Sequence, residues 1–387
     1  VAEGFWHGIE VVPVTTRTAP GVRTPATSVI GVVGTSALSD KVTAHTPILV
    51  RGAREARELF GALDAPGSLP KTLAAIYEET QAVCVVVTVG PGEADALATQ
   101  VAGTQGELTG VYGLLKAKAA LGAQPRIVIA PEFSADESVR AALSVVAGRL
   151  RAVASVESPD SGDLQAVIGN FQSLRGSRLY PVYPNVRLAA PIGVVGGSAL
   201  AAALIAKTDA ELGFWVSPSN RLCSSVVGLT HPVEFSLDPS SGESGANLLN
   251  KNKIATFVNE QGFRLWGNRT LYDEADALDS RHKFINVRRL RDFIDDAILA
   301  SHLWAVDRNI TRSYVAQVTE SINNYLRDLK AKEAILGGHC WIDPEANTVS
   351  QITEGHVTFD YEFTPPYPAE RITFRSLLSD DHVKEIF

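Results

Sequence analysis

The chain has 387 residues, more than the roughly 250–300 at which a single hydrophobic core stops growing, so more than one domain is expected. With 45% hydrophobic and 20% charged residues it has the balance of a packed globular protein, which excludes wholesale disorder. A formal net charge of -8 excludes the overall basic footprint of a general nucleic-acid binder, and no apolar run approaches the ~20 residues that a membrane-crossing helix needs.

In chain order, the opening VAEGFWHGIE carries an early acid and no apolar core of a secretory signal, so a cytoplasmic site of synthesis is expected. Residues 1–25 read as an arm: Ile9, Val11 and Val14 mark a short strand pattern. The Thr-, Pro- and Gly-rich TTRTAPGVRTPATS then forms a tether that can continue neither a helix nor a central strand.

Residues 26–210 alternate apolar runs with helical patterns. The runs VIGVV (29–33), AVCVVVTV (82–89), RIVIA (126–130), AVASV (152–156) and LYPVY (179–183) are short and continuous, as strands covered on both faces must be. Between them, 136–150 places Val139, Leu143, Val146 and Leu150 on one stripe with acids in its first turn. The alternation predicts an α/β layered domain with a mostly parallel sheet.

After the polar segment SLDPSSGESGAN (236–247) the pattern changes. Two amphipathic helices are predicted, at 286–305 and 312–331, followed by the alternating strands HVTFDYEF (356–363) and RITFRSLL (371–378) around the turn TPPYPAE. Residues 211–368 thus read as an α+β domain and 369–387 as a second arm.

The three cysteines, Cys84, Cys223 and Cys340, are widely spaced and form neither a disulfide framework nor a CxxC motif. The runs VIGVVGTSAL (29–38) and PIGVVGGSAL (191–200) suggest phosphate loops. Neither has the GxGxxG spacing or the GxxxxGK lysine, and they read as strand-to-helix turns, with Ser198 capping ALAAALIAK. No GxSxG elbow, HExxH or HxH occurs, and His339 and Cys340 would point to opposite faces of a strand. No catalytic, cofactor-binding or metal-binding residue is assigned. GFRLWGNRT (262–270), with Arg264, Trp266, Asn268 and Arg269, is either a sugar or nucleotide platform or a structural turn whose arginines pair with nearby carboxylates; the structural reading is preferred.

The series GFWVSPSN (213–220), HPVEF (231–235), ANLLN (246–250), IATFVNEQGFRLWGNRTL (254–271) and AILASHLWAVDRNIT (297–311) resembles the tail sheath proteins of contractile bacteriophages and R-type pyocins. The resemblance extends to QPRIVIAPEFS (124–134) and HGIEVV near the start, and so spans nearly the whole chain. It implies a two-domain subunit: an outer α/β domain of subtilisin-like fold without a working triad, an inner α+β domain facing a tail tube, and strand-forming terminal arms. It implies a non-enzymatic, cofactor-free subunit that polymerises as hexameric rings around the tube and shortens on a baseplate trigger. The implied partners are neighbouring sheath subunits, the tube protein, and baseplate and tail terminator or collar proteins. The implied locations are the host bacterial cytoplasm during assembly and then the virion tail or tailocin.

On this reading the exchanged strands carry Ile9, Val11, Val14, Val357, Phe359, Ile372 and Phe374, whose unpaired edges can add to another sheet. Ordinary edge strands within one subunit are the alternative. Arg288, Arg289, Arg291, Arg327, Lys330 and Lys332 are the candidate tube-facing cations; alternatively they pair with Asp292, Asp295, Asp296 and Asp328 on solvated helix faces. The competing function is a soluble α/β enzyme, either a degenerate serine hydrolase or a nucleotide-binding one.

Overall fold

The computed structural model describes residues 22–92, 94–238, 240 and 242–386. The strands are β1 (Ile30–Gly34), β2 (Ile48–Val50), β3 (Cys84–Thr88), β4 (Ile127–Ile129), β5 (Val153–Glu157), β6 (Leu179–Tyr183), β7 (Val186–Leu188), β8 (Val194–Val195), β9 (Arg221–Leu222), β10 (Val226–Leu229), β11 (Ala255–Asn259), β12 (Phe263–Trp266), β13 (Gly337–Trp341) and β14 (Asp360–Thr364). They belong to two compact units. The main one comprises Thr24–Asp295 with Pro365–Phe387, and the smaller one is built on Asp296–Thr364.

In the main unit a nine-stranded sheet runs β2-β3-β1-β4-β5-β6-β11-β12-β9. The strands from β3 to β11 are parallel, while β2, β12 and β9 are antiparallel at the two margins. β1, β3, β5 and β6 are buried along their whole length, which is why they read as continuous apolar runs rather than alternating ones. One face presents Ile30, Val32, Val86, Ile127 and Ile129 to the helices Leu69–Glu79 and Gly197–Glu211; the other presents Val33, Val85, Val87 and Val128 to Glu137–Leu150 and Leu164–Phe171. Each such Leu, Ile or Val contributes roughly 1.5–3 kcal/mol by leaving water.

Gly197–Glu211 is apolar around most of its circumference and buried from Gly197 to Ala206, as a helix enclosed by other elements must be. Asp136, expected inside the first turn of its helix, is the N-cap and accepts from the amides of Ser138 and Val139.

The division expected at 210/211 falls inside this architecture, because β11 and β12 extend the sheet built by the preceding segments. The compact units divide at 295/296 instead, part-way along the helix Ile285–Ser301. That helix ends four residues before the predicted 305, and a short turn, Leu303–Ala305, follows.

In the smaller unit the helix Arg312–Ala331 occupies the predicted span, capped by Thr311 and burying Val318, Ile322, Tyr325, Leu326 and Leu329. β13 and β14 pair antiparallel from Gly337↔Thr364 to Trp341↔Asp360. Residues 356–359 lie outside this ladder, and 371–378 form no strand among the described residues. An alternating sequence becomes a strand only where a partner receives its backbone.

Candidate functional site

Both glycine runs end β-strands of the main unit. Thr35 and Ser68 exchange hydrogen bonds, each amide donating to the other's hydroxyl at 3.1 and 3.0 Å. At the second run the N-cap is Gly196, not Ser198. Ser198 donates its amide (2.9 Å) and hydroxyl (2.5 Å) to Glu157 Oε1, and the Glu132 amide donates to Oε2 (3.1 Å). The N-terminal end of the helix has therefore received a carboxyl group from its own chain, at the position a phosphate would take. Burial pushes the Glu157 carboxyl above its usual range, against the pull of the Ser198 hydrogen bonds. A Cβ on Gly196 would stand 2.1 Å from Glu157 Oε1, so glycine is required there for close approach.

The first three predicted cations are engaged within the main unit. Arg289 is 3% exposed and forms a two-point pair with Asp209 (2.7 and 2.5 Å), donating also to the Thr27 carbonyl. Arg288 pairs with Asp292, which also holds Arg178 through two bonds (2.6 and 2.8 Å). Arg291 pairs with Asp295 at 3.3 Å. Arg289 thus lies inside the fold. Its partner is 80 residues away in sequence, which no helical spacing reveals. In the smaller unit Lys330 and Lys332 are exposed, and Arg327 pairs with exposed Glu320. That unit is acidic overall, with ten Asp and Glu against five Lys and Arg over 296–364.

The GFRLWGNRT segment is β12 and the turn after it. Arg264 donates to the carbonyls of Glu260 and Asn220 (3.0 and 3.1 Å), and Trp266 stands edge-on to Phe235. The Asn268 carbonyl accepts from the Ile285 amide, and Arg269 meets Glu370 with Nε–Oε1 of 2.7 Å and Nη2–Oε2 of 2.6 Å. Arg269 thus meets a carboxylate, whereas Arg264 is held by backbone carbonyls and not by the carboxylate that the structural-turn reading expected.

The predicted exchange residues fall in three places. Ile9, Val11 and Val14 lie outside the described residues. Val357 and Phe359 are half-buried beside β14, the Phe359 ring 6.4 Å from that of Tyr314. Ile372 and Phe374 are 67% and 90% exposed, and Leu377 and Leu378 beyond them are 90% and 100% exposed. Four large apolar side chains in seven residues thus stand in water. Among the described residues the β13–β14 sheet has no third strand. Asn323 brackets Cys340 of β13, accepting from its amide (2.8 Å) and donating to its carbonyl (3.0 Å). Cys340 points inward and is buried, whereas His339 and Trp341 lie stacked on the outer face, opposite orientations as alternation predicts.

Sequence reasoning missed Asn323 and Glu370, because each acts through a contact that only the fold creates. A polar side chain on the stripe side of an amphipathic helix was the available signal for Asn323.

Residues 102–271 match the family described as the phage tail sheath protein central domain, and residues 278–378 the phage tail sheath C-terminal domain. The chain is 38% identical over 395 residues to a prophage major tail sheath protein of Pseudomonas aeruginosa (strain UCBPP-PA14), covering 99% of this chain and 98% of the relative. To the tail sheath protein of Escherichia phage P2 it is 28% identical, covering 99% and 98%. Its fold is similar to the sheath of an extracellular contractile injection system, the PVC sheath complex in the contracted state, with a TM-score of 0.73, 17% identity and coverage of 99% and 100%. It is also similar to the contracted helical sheath of the anti-feeding prophage, with a TM-score of 0.71, 19% identity and coverage of 96% and 99%.

Proposed function

The chain belongs to the phage tail sheath protein family, and from that premise we propose that it polymerises as stacked hexameric rings around a tail tube and shortens to drive the tube through a cell envelope. As a contractile tail sheath protein it is a structural component and not an enzyme; its relatives are sheath proteins, so the enzyme alternative is set aside.

The observation that carries the assembly reading is the C-terminal arm. Ile372, Phe374, Leu377 and Leu378 are exposed in a segment of alternating pattern. A single copy gains nothing from displaying them, whereas a second copy that accepts the segment as a strand gains both backbone hydrogen bonds and apolar burial. The N-terminal strand pattern with Ile9, Val11 and Val14 acts in the same way, and the region around Val357 and Phe359 lies on the accepting side. The tube contact belongs to the smaller unit, through Arg327, Lys330 and Lys332. Assembly takes place in the bacterial cytoplasm, and baseplate and terminator proteins bound the polymer. Shortening then needs only a difference in contact energy between two packings, repeated over many copies.

Purified protein should form hollow cylinders in electron micrographs. Phe374→Lys should leave the subunit folded, because the side chain is exposed, and should abolish the cylinders. Polymers of wild-type appearance from Phe374→Lys, or a wild-type chain that stays monomeric at every concentration and salt, would refute the reading.

A further inference from the structure

We infer that Arg269 is a positioning residue for strand donation: its two-point ion pair with Glu370 clasps the C-terminal segment to the main unit and sets the point from which the arm departs. This deepens the sheath reading and rests on it. After Thr364, the last residue of β14, the chain returns to the main unit through PPYPAE. Prolines 365, 366 and 368 lack amide hydrogens and hold φ near one value, so this stretch is stiff and poorly suited to a backbone ladder. Side chains hold it instead. The Tyr367 ring meets Phe284 edge-on at 6.3 Å, and the Glu370 carboxylate meets Arg269 at 2.7 and 2.6 Å.

Arg269 itself is rigidly placed. Its backbone forms a β-bridge with Phe284, and on either side the Ile285 amide donates to the Asn268 carbonyl and the Thr270 amide to the Lys283 carbonyl. Phe284 and Arg269, which hold the segment together with Asn286 (its Nδ2 donates to the Pro366 carbonyl at 3.5 Å), therefore start from one bridged pair. Beyond Glu370 every residue from Arg371 to Asp380 is exposed. Glu370 is the last residue before the apolar arm whose side chain forms an ion pair with the main unit.

The distances give the clasp a purpose. Residues 371–378 span about 26 Å when extended at ~3.3 Å per residue. Without the ion pair the last anchor is Tyr367, three residues earlier, which adds about 10 Å of reach and spreads the arm through roughly 2.5 times the volume. The effective concentration of the arm at its acceptor falls by that factor. A guanidinium suits the task because its planar fork grips both carboxylate oxygens and so fixes direction as well as distance; a lysine would fix distance alone.

The test uses the full chain. Cys84, Cys223 and Cys340 are buried, so a cysteine introduced by Ala369→Cys can be selectively labelled with a nitroxide. In that background Arg269→Gln and Glu370→Gln are each expected to increase label mobility and to raise the protein concentration needed for cylinder formation about threefold. The exchange of charges, Arg269→Glu with Glu370→Arg, should restore both values, a rescue that loss of packing would not allow. High salt should move the wild type toward the variants. Should Arg269→Gln fail to fold, Glu370→Gln still decides the matter, because it alters only an exposed residue of the segment. Unchanged mobility in Glu370→Gln overturns the clasp, and raised mobility with unchanged assembly overturns its positioning role. If the wild-type chain never polymerises, the sheath reading fails and takes the positioning role with it, while label mobility still reports whether Arg269 holds the segment.

Discussion

At Ser198, four consecutive small residues end a strand, open a helix and receive the Glu157 carboxyl group where a phosphate would otherwise sit. The turn was legible in the sequence, but its occupant was not, because Glu157 lies 41 residues earlier on a different strand. The same limit applies to the basic residues. Arg288 with Asp292 and Arg291 with Asp295 are four-residue pairs visible in the sequence, whereas Arg289 with Asp209 is not. Arg289→Ala leaves the Asp209 carboxylate buried without its cation and should lower stability by about 3–5 kcal/mol, read as a shift in the urea midpoint. His282 supplies a pH dependence. Burial, aided by the charges of Arg288 and Arg291, depresses its pKa to about 4 from 6.5. Above 6.5 neither state binds the proton. Between 6.5 and 4 the unfolded chain binds it and the native one does not, so stability should fall as pH falls, by up to about 3 kcal/mol. Urea unfolding at pH 7.5, 5.5 and 4 measures this, and His282→Leu should flatten that part of the profile.

Periodicity identified the helix Arg312–Ala331 and most of the buried strands of the main unit, because each of those patterns reflects what the element itself buries. It described the C-terminal strands less well. Alternation in HVTFDYEF and RITFRSLL reports a capacity to pair, and only Asp360–Thr364 finds a strand partner among the described residues. Pairing depends on a second backbone, which sequence pattern alone does not specify. The helix is also joined to the small sheet by one amide: Asn323 satisfies both backbone groups of Cys340. Asn323→Ala should strand those two groups and lower stability by about 1–3 kcal/mol, with faster hydrogen exchange at Cys340 as the local readout.

Across the whole molecule, the expected boundary failed because a sheet does not end where a sequence pattern changes. β11 and β12 follow a long, irregular stretch and still complete the sheet begun at β1. The charge distribution also bears on the proposed tube contact. With an acidic surplus over 296–364, long-range attraction to an acidic wall is weak, and on the proposed contact the local cluster at Arg327, Lys330 and Lys332 supplies the candidate cations. Replacing all three by Gln should leave thermal unfolding within about 0.5 kcal/mol of wild type. Co-sedimentation with isolated tubes, and its salt dependence, should fall in the same variant; unchanged binding would remove these residues from the interface.

The return of the chain to the main unit at Pro365 has a mechanical meaning. Residues 296–364 of the smaller unit are entered along one continuous helix and left two prolines before Tyr367. A pull on the C-terminal arm is therefore taken up at Arg269 and Phe284 and runs into the nine-stranded sheet without loading residues 296–364. On the proposed exchange, tension would leave the donor through its main unit and enter the acceptor through the strands near Val357 and Phe359, so each subunit would be loaded in a different unit at its two ends.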